Sequence, residues 1–340
     1  MHNRMYISIS EEDKIAVFDV DATTGRTTHF GDVPTSGRPA PLAVDPERKY
    51  LYVGCRATNE LMTFRIDPGE GSLSPIGKIP LESDPCFLST DRTGKFLLSA
   101  YYGAGAAAVH RIGSDGVAIS PPVQWLPTAP GAHSIHTDRS NRFAFVPHIA
   151  GGTGPNAIFQ FNFDEGSGEL TPNSPARVTP DNEAGPRHYC YHPTKDMAYF
   201  SNEQGSSVTA YDLNPREGTL TAKQTISTLP NGYTGENTCA QIQIAPSGKF
   251  LYAPNRGHNS IACYSIDETS GMLTSIGNLM TEPVPRALSL DPTGAFLYVA
   301  GLESGNLASY SIDSDSGTLH PLEVQPIGAG PMWVLIFAAT

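Results

Sequence analysis

VDATTGR, residues 20–26, is the first of seven versions of one hairpin. The others are IDPGEGS (66–72), IGSDGV (112–117), FDEGSGE (163–169), LNPREGT (213–219), IDETSGM (266–272) and IDSDSGT (312–318). Each begins with an apolar residue closing a strand, continues through a short polar run, and reaches a glycine before the next strand starts. Successive instances lie 46, 46, 51, 50, 53 and 46 residues apart. A period in that range marks a repeat architecture, so it governs how every local motif is read.

A second signal stands between the hairpins: DPERKYLYVG from Asp45, DRTGKFLLSA from Asp91, DRSNRFAFVP from Asp138, HPTKDMAYFS from His192, APSGKFLYAP from Ala245 and DPTGAFLYVA from Asp291. This is a polar turn followed by a strand rich in Phe, Tyr, Leu and Val. A short apolar run precedes each turn. A third strand with apolar and polar residues alternating, as in LMTFRID or SIACYSID, reads as half-exposed. A fourth strand follows the hairpin glycine. Four antiparallel strands per unit describe a propeller blade, and no segment shows helical periodicity. There are six complete turn-and-strand anchors but seven hairpins. The chain opens at the second strand of a unit, with Tyr6 equivalent to Tyr52, and ends on a lone first strand, GPMWVLIF from Gly330. Pairing that strand with the N-terminal three completes a seventh blade and removes the open edges. The expected fold is all-β: one seven-bladed β-propeller over residues 1–340, closed by the C-terminal strand.

Hydrophobic content of 39% against 16% charged residues allows a sizeable core, and 33 Gly with 29 Pro suit a chain full of turns. A formal net charge of −12 disfavours nucleic-acid and membrane partners. Five cysteines with no C-x-x-C spacing read as buried thiols in a reducing compartment. The N-terminal stretch has no apolar run long enough for a signal peptide, so the expected location is the cytoplasm, as a monomer or weak homo-oligomer.

The repeat register says which residues can meet. In an antiparallel blade the start of the first strand and the end of the second lie on one face, near the axis. Five positions before each anchor stand Ala40, Cys86, His133, Arg187, Ala240 and Arg286, with Met332 in the closing blade. Eleven positions after it stand Arg56, Tyr102, Ile149, Glu203, Arg256 and Leu302, with Ser10 in the first blade. Four arginines, a histidine and a glutamate therefore converge on one mouth of a protein poor in Lys and Arg. Such a mouth suits a small anion held by guanidinium forks. Motifs for other chemistries are missing. His188 and His192 are about 13 Å apart along a strand, and His192 reads as a turn cap. His133 and His136 point to opposite faces. GGTGP (151–155) lacks the Lys-Ser/Thr of a phosphate cradle, and no G-x-S-x-G elbow occurs. No metal and no cofactor are expected.

At these residues the chain resembles the seven-bladed lactonase family, which contains propeller-type 6-phosphogluconolactonases and fungal carboxy-cis,cis-muconate cyclases. The resemblance runs from Tyr6 to Trp333. Its most specific pieces are AHSI (132–135), AGPRHY (184–189), SNEQ (201–204), PNRG (254–257), VPRA (284–287) and GAGPMWV (328–334). The cyclase branch's proposed site, a histidine, two arginines and a glutamate, falls by these motifs on His133, Arg187, Glu203 and Arg256, the same four residues that the register selects. The resemblance implies hydrolysis of a small anionic sugar lactone, 6-phosphoglucono-1,5-lactone foremost. Glu203 or His133 would act as general base, with Arg187 and Arg256 stabilising the oxyanion. Arg286, with Arg56 or His188, would hold the phosphate or carboxylate, and Asn202, Asn255 and Tyr101 would contact hydroxyls. The alternatives are a lactonising enzyme acting on a muconate-like dicarboxylate and a non-catalytic propeller scaffold.

Overall fold

The computed structural model describes residues 2–338, which form seven antiparallel sheets arranged as a ring, six of four strands and one whose first strand is split into Thr238–Cys239 and Gln243–Ile244. The first blade joins Pro331–Ala338 to His2–Ile9, Lys14–Asp21 and Thr27–Pro34, with Tyr6 opposite Leu335 and Ser8 opposite Trp333. The two ends of the chain thus share one sheet, as the strand count requires. Its innermost strand touches the first strands of both neighbouring blades, Pro39–Val44 on one side and Pro285–Leu290 on the other. No helix occurs among the described residues, and none is long and apolar enough to cross a membrane.

The hairpin signature turns the chain and seals the ring. In VDATTGR the Asp21 carboxylate accepts the backbone N–H groups of Thr23 and Thr24, and Gly25 follows at φ 71°. Asp67, Asp164, Asn214, Asp267 and Asp313 make the same side-chain turn. The glycine is required twice over. Its φ is left-handed, and a Cβ on Gly25 would come within 2.3 Å of the Phe296 ring in the preceding blade. A Cβ on Gly317 would come within 2.2 Å of Phe250. Buried tyrosines complete the seam: Tyr298 donates to Gly25 O, Tyr6 to Gly71 O and Tyr252 to Gly317 O. The recurring glycine is therefore the point where each hairpin leans on the blade before it.

The anchor turns are capped by their first residue. Asp45 accepts the N–H of Lys49 and Tyr50, Asp91 that of Phe96, and Asp291 that of Phe296. His192 plays the same part through Nδ1, which accepts from Thr194 and Lys195. One expectation is corrected: the third strands are mostly buried, and the alternation of half-buried and exposed residues belongs to the fourth, as in Thr27–Pro34. The third strand is covered by neighbouring blades, whereas the fourth is the outer edge. The five cysteines are free thiols.

Candidate active site

The axial strands do not run regularly to the mouth. In Pro186–Tyr191 the pairing slips between Pro186 and His188, so Arg187 occupies a bulge. Arg286 sits in the equivalent slip between Pro285 and Ala287, Met332 in that between Trp333 and Pro331, and Ala40 in that between Pro39 and Leu42. Around His133 the first strand is reduced to a single bridge, Ala132 to His148, before pairing resumes at His136. A bulge frees one residue from the strict alternation of a strand and re-aims its side chain. Here it does so at the register position five before the anchor in four of the seven blades.

These side chains meet residues from the ends of the second strands. Glu203 lies between two guanidinium groups. Arg256 Nη2 donates to its Oε1 at 2.8 Å and to Cys239 O at 2.7 Å. Arg187 Nε approaches Oε2 at 3.0 Å without hydrogen-bond alignment, so Arg187 Nε and Nη1 and Glu203 Oε2 make no hydrogen bond. Arg187 is only 2% exposed. Burial, with repulsion from Arg256, lowers its pKa to about 9, which leaves it cationic at neutral pH. Burial raises the pKa of Glu203, but the charges of Arg187 and Arg256 outweigh that and hold it below the usual carboxylate range. His133 is buried, its Nδ1 has no partner, and its ring meets those of Tyr102 at 5.6 Å and His188 at 5.1 Å. Burial and then Arg187 drive the pKa values of His133 and His188 well down, so both rings are neutral.

Arg286 lines the same axial space as Arg187, His133 and Arg56, and makes no ion pair among the described residues. Burial and Arg256 depress its pKa to about 10. Arg56 is paired with Asp84 through Nε at 3.2 Å and Nη2 at 2.5 Å. The space between these side chains is only about 10 Å³, room for one water. A larger cavity of about 320 Å³ adjoins it, sharing Arg56 and Met332 and reaching Arg38 and Ser10. Among the described residues no three His, Cys, Asp or Glu side chains gather closely enough to hold a metal ion.

The structure thus brings His133, Arg187, Glu203, Arg256, Arg286 and Arg56 together at one mouth. His188 lies beneath His133, between Phe87 and Trp333, rather than at the surface. Tyr101, Asn202 and Asn255 are not brought there; all three are fully buried within the blades. Each directly precedes a mouth residue on a regular strand, so the two-residue alternation turns it to the other face. Asn202 Nδ2 donates to Ser207 and Thr209, Asn255 Nδ2 to Thr228 O and Ser260, and Tyr101 accepts from Ser99 and packs on Trp125. Residues singled out by neither pattern nor motif also line the site. Gln241 stands in the broken first strand of its blade, and Arg38 in the connecting loop at φ 56°. Neither occupies one of the two register positions that select the mouth residues.

Comparison with known proteins bears on the family and the fold. Residues 5–336 match the family described as Lactonase, 7-bladed beta-propeller. A 6-phosphogluconolactonase of Pectobacterium carotovorum is 35% identical over 338 residues, covering 99% of each chain. One from Serratia proteamaculans is 34% identical, covering 99% of this chain and 100% of its own. Among solved structures, a periplasmic gluconolactonase of Pseudomonas aeruginosa superposes with a TM-score of 0.91 at 23% identity over all of both chains, a likeness of fold. With this match spanning nearly every blade, the chain belongs to the seven-bladed β-propeller lactonase family.

Proposed function

We propose that the protein hydrolyses a sugar-acid lactone, 6-phosphoglucono-1,5-lactone being the leading substrate, by acid–base catalysis that uses no metal ion. Full-length relatives named 6-phosphogluconolactonase support the reaction class. The observation that carries the reading is unused hydrogen-bonding capacity. Arg187 Nε and Nη1, Arg256 Nε, His133 Nδ1 and Glu203 Oε2 are buried polar atoms without a hydrogen-bond partner, gathered in one place. Buried polar groups are normally satisfied, so a cluster of exceptions suits groups that serve a ligand.

The narrow axial space admits no sugar ring between the arginines. The lactone carbonyl reaches down to them while the polyol and phosphate occupy the adjoining 320 Å³ cavity. Glu203, ionised and with Oε2 accepting no hydrogen bond, takes a proton from water as the water oxygen bonds to the carbonyl carbon. Charge developing on the carbonyl oxygen is met by Arg187 and Arg256, fixed before reaction by burial and by Glu203. The ring C–O bond then breaks. The proton taken from water passes to the departing ring oxygen, with His133, neutral and adjacent, as the relay. The product is the open hydroxy acid. Arg286, which has no carboxylate partner among the described residues, holds the anionic end where the two spaces meet at Arg56.

A panel of phosphorylated and plain aldonolactones, assayed with excess chelator, tests this. Rapid turnover of the phosphorylated lactone is expected with chelator present. Arg286→Ala raises KM for it at least ~10-fold, the loss of one charged hydrogen-bonding partner, and leaves KM for the plain lactone within about twofold. Chelator-abolished turnover, or equal effects on both lactones, would count against the reading.

A further inference from the structure

The axial channel contains a second cavity that lactone opening does not use. First strands run from the mouth to the opposite rim, so Tyr191 lies four residues and about 13 Å beyond Arg187. A cavity of about 310 Å³ opens at that far end. This is within the range of small-molecule sites. His188, Gln241 and Trp333 line both this cavity and the arginine-rich space, forming the partition between them.

The walls are aromatic and the charge is one-sided. Phe87 is the hub, edge-on to His136 at 4.6 Å, His188 at 5.2 Å and Trp333 at 5.4 Å. Tyr189 closes one side, edge-on to His136 at 5.1 Å. Arg92 stands at the rim as the single charged lining residue, and no carboxylate lines the cavity. Its Nε and Nη2 donate to the backbone carbonyls of Asp138 and Thr137, which fix the guanidinium and leave Nη1 without a partner among the described residues. Deeper in, Gln241 accepts from Leu288 N through Oε1, and its Nε2 donates to no group among the described residues. Donors without acceptors, flat rings on several sides and one pinned guanidinium describe a receptor for a flat anion.

We propose that this cavity binds a small aromatic carboxylate, its ring against Phe87 and Trp333 and its carboxylate on Arg92 at the rim. The site is separate from the lactone mouth and does not depend on the reaction assigned there. An occupant touches His188 and therefore sits one ring away from His133.

The chain has two tryptophans, Trp125 and Trp333. Trp125→Phe leaves Trp333 as the sole reporter. Titrating this protein with benzoate is expected to quench its fluorescence saturably, whereas benzamide, of the same shape but uncharged, binds at least ~10-fold more weakly. Arg92→Gln weakens benzoate by at least ~10-fold; Arg286→Ala, on the mouth side, leaves it within about twofold. Calorimetric titration of the unmodified protein with benzoate and benzamide gives the same contrast without any substitution. No saturable benzoate binding, equal binding of the two compounds, or loss of binding in Arg286→Ala would overturn the proposal.

Discussion

Replacing Glu203 with Gln separates the two things this side chain does. The carboxylate anchors two guanidinium groups, at 3.0 Å and 2.8 Å, and in the proposed reaction it accepts a proton. Glutamine keeps the shape and one oxygen acceptor but loses both functions of charge. Removing one partner of a buried ion pair costs about 3–5 kcal/mol. Glu203 and Arg256 are 16% and 13% exposed at the side chain, so the lower end, about 3 kcal/mol, applies. For a chain of this length, with an unfolding entropy of roughly 2.1 cal/mol/K per residue, that is a fall of about 4 °C in Tm. Loss of the base is a separate quantity, about 10²-fold or more in kcat, equivalent to about 2.7 kcal/mol of barrier. The assay is initial-rate acid release from 6-phosphoglucono-1,5-lactone, corrected for enzyme-free hydrolysis, beside a thermal melt. A lower Tm with kcat within about threefold of the parent protein would refute base catalysis and leave Glu203 as an anchor for the arginines.

Tyr101→Phe should cost about 1 kcal/mol of stability, through the hydrogen bond with Ser99. Its kcat and KM should stay at parental values, and a raised KM would return Tyr101 to the substrate. Acidification should destabilise the fold before any carboxylate titrates. Burial lowers the pKa values of His110 and His148 to about 4, so the native state resists protons that the unfolded chain takes up below about 6.5. Stability is then full above pH 6.5 and falls as pH drops toward 4. Each histidine contributes a loss of about 2 kcal/mol between pH 7 and pH 5. Urea unfolding at the two pH values measures it, and His110→Phe should remove about half of the pair's combined effect.

The ring was legible because one residue pair does two local jobs at once. An Asp or Asn that caps the hairpin and a glycine at its end leave a fixed spacing, and the same glycine is where the preceding blade makes contact. The mouth was legible through register alone: His133, Arg187, Arg286, Glu203 and Arg256 fall at two repeated positions. What the pattern did not carry is side-chain aim. Tyr101, Asn202 and Asn255 are neighbours of mouth residues in sequence, yet the strand's alternation faces them into the blades. Arg187 and Arg286 escape that alternation through bulges, and a bulge leaves no mark in residue identity. Arg38 lies in a loop, and Gln241 lies one position past the register that selects Arg187, in a first strand that is broken. The far-side cavity arises from the inner ends of five blades meeting at the axis, a relation that no single segment displays.

A crystal structure with 6-phosphogluconate bound tests the account most directly. The C1 carboxylate is expected within about 3.2 Å of Arg187 and Arg256 nitrogens, beside Glu203 and His133, with the phosphate toward Arg286 and Arg56. Product bound at the opposite rim, or on the outer surface with the arginine cluster untouched, would contradict it.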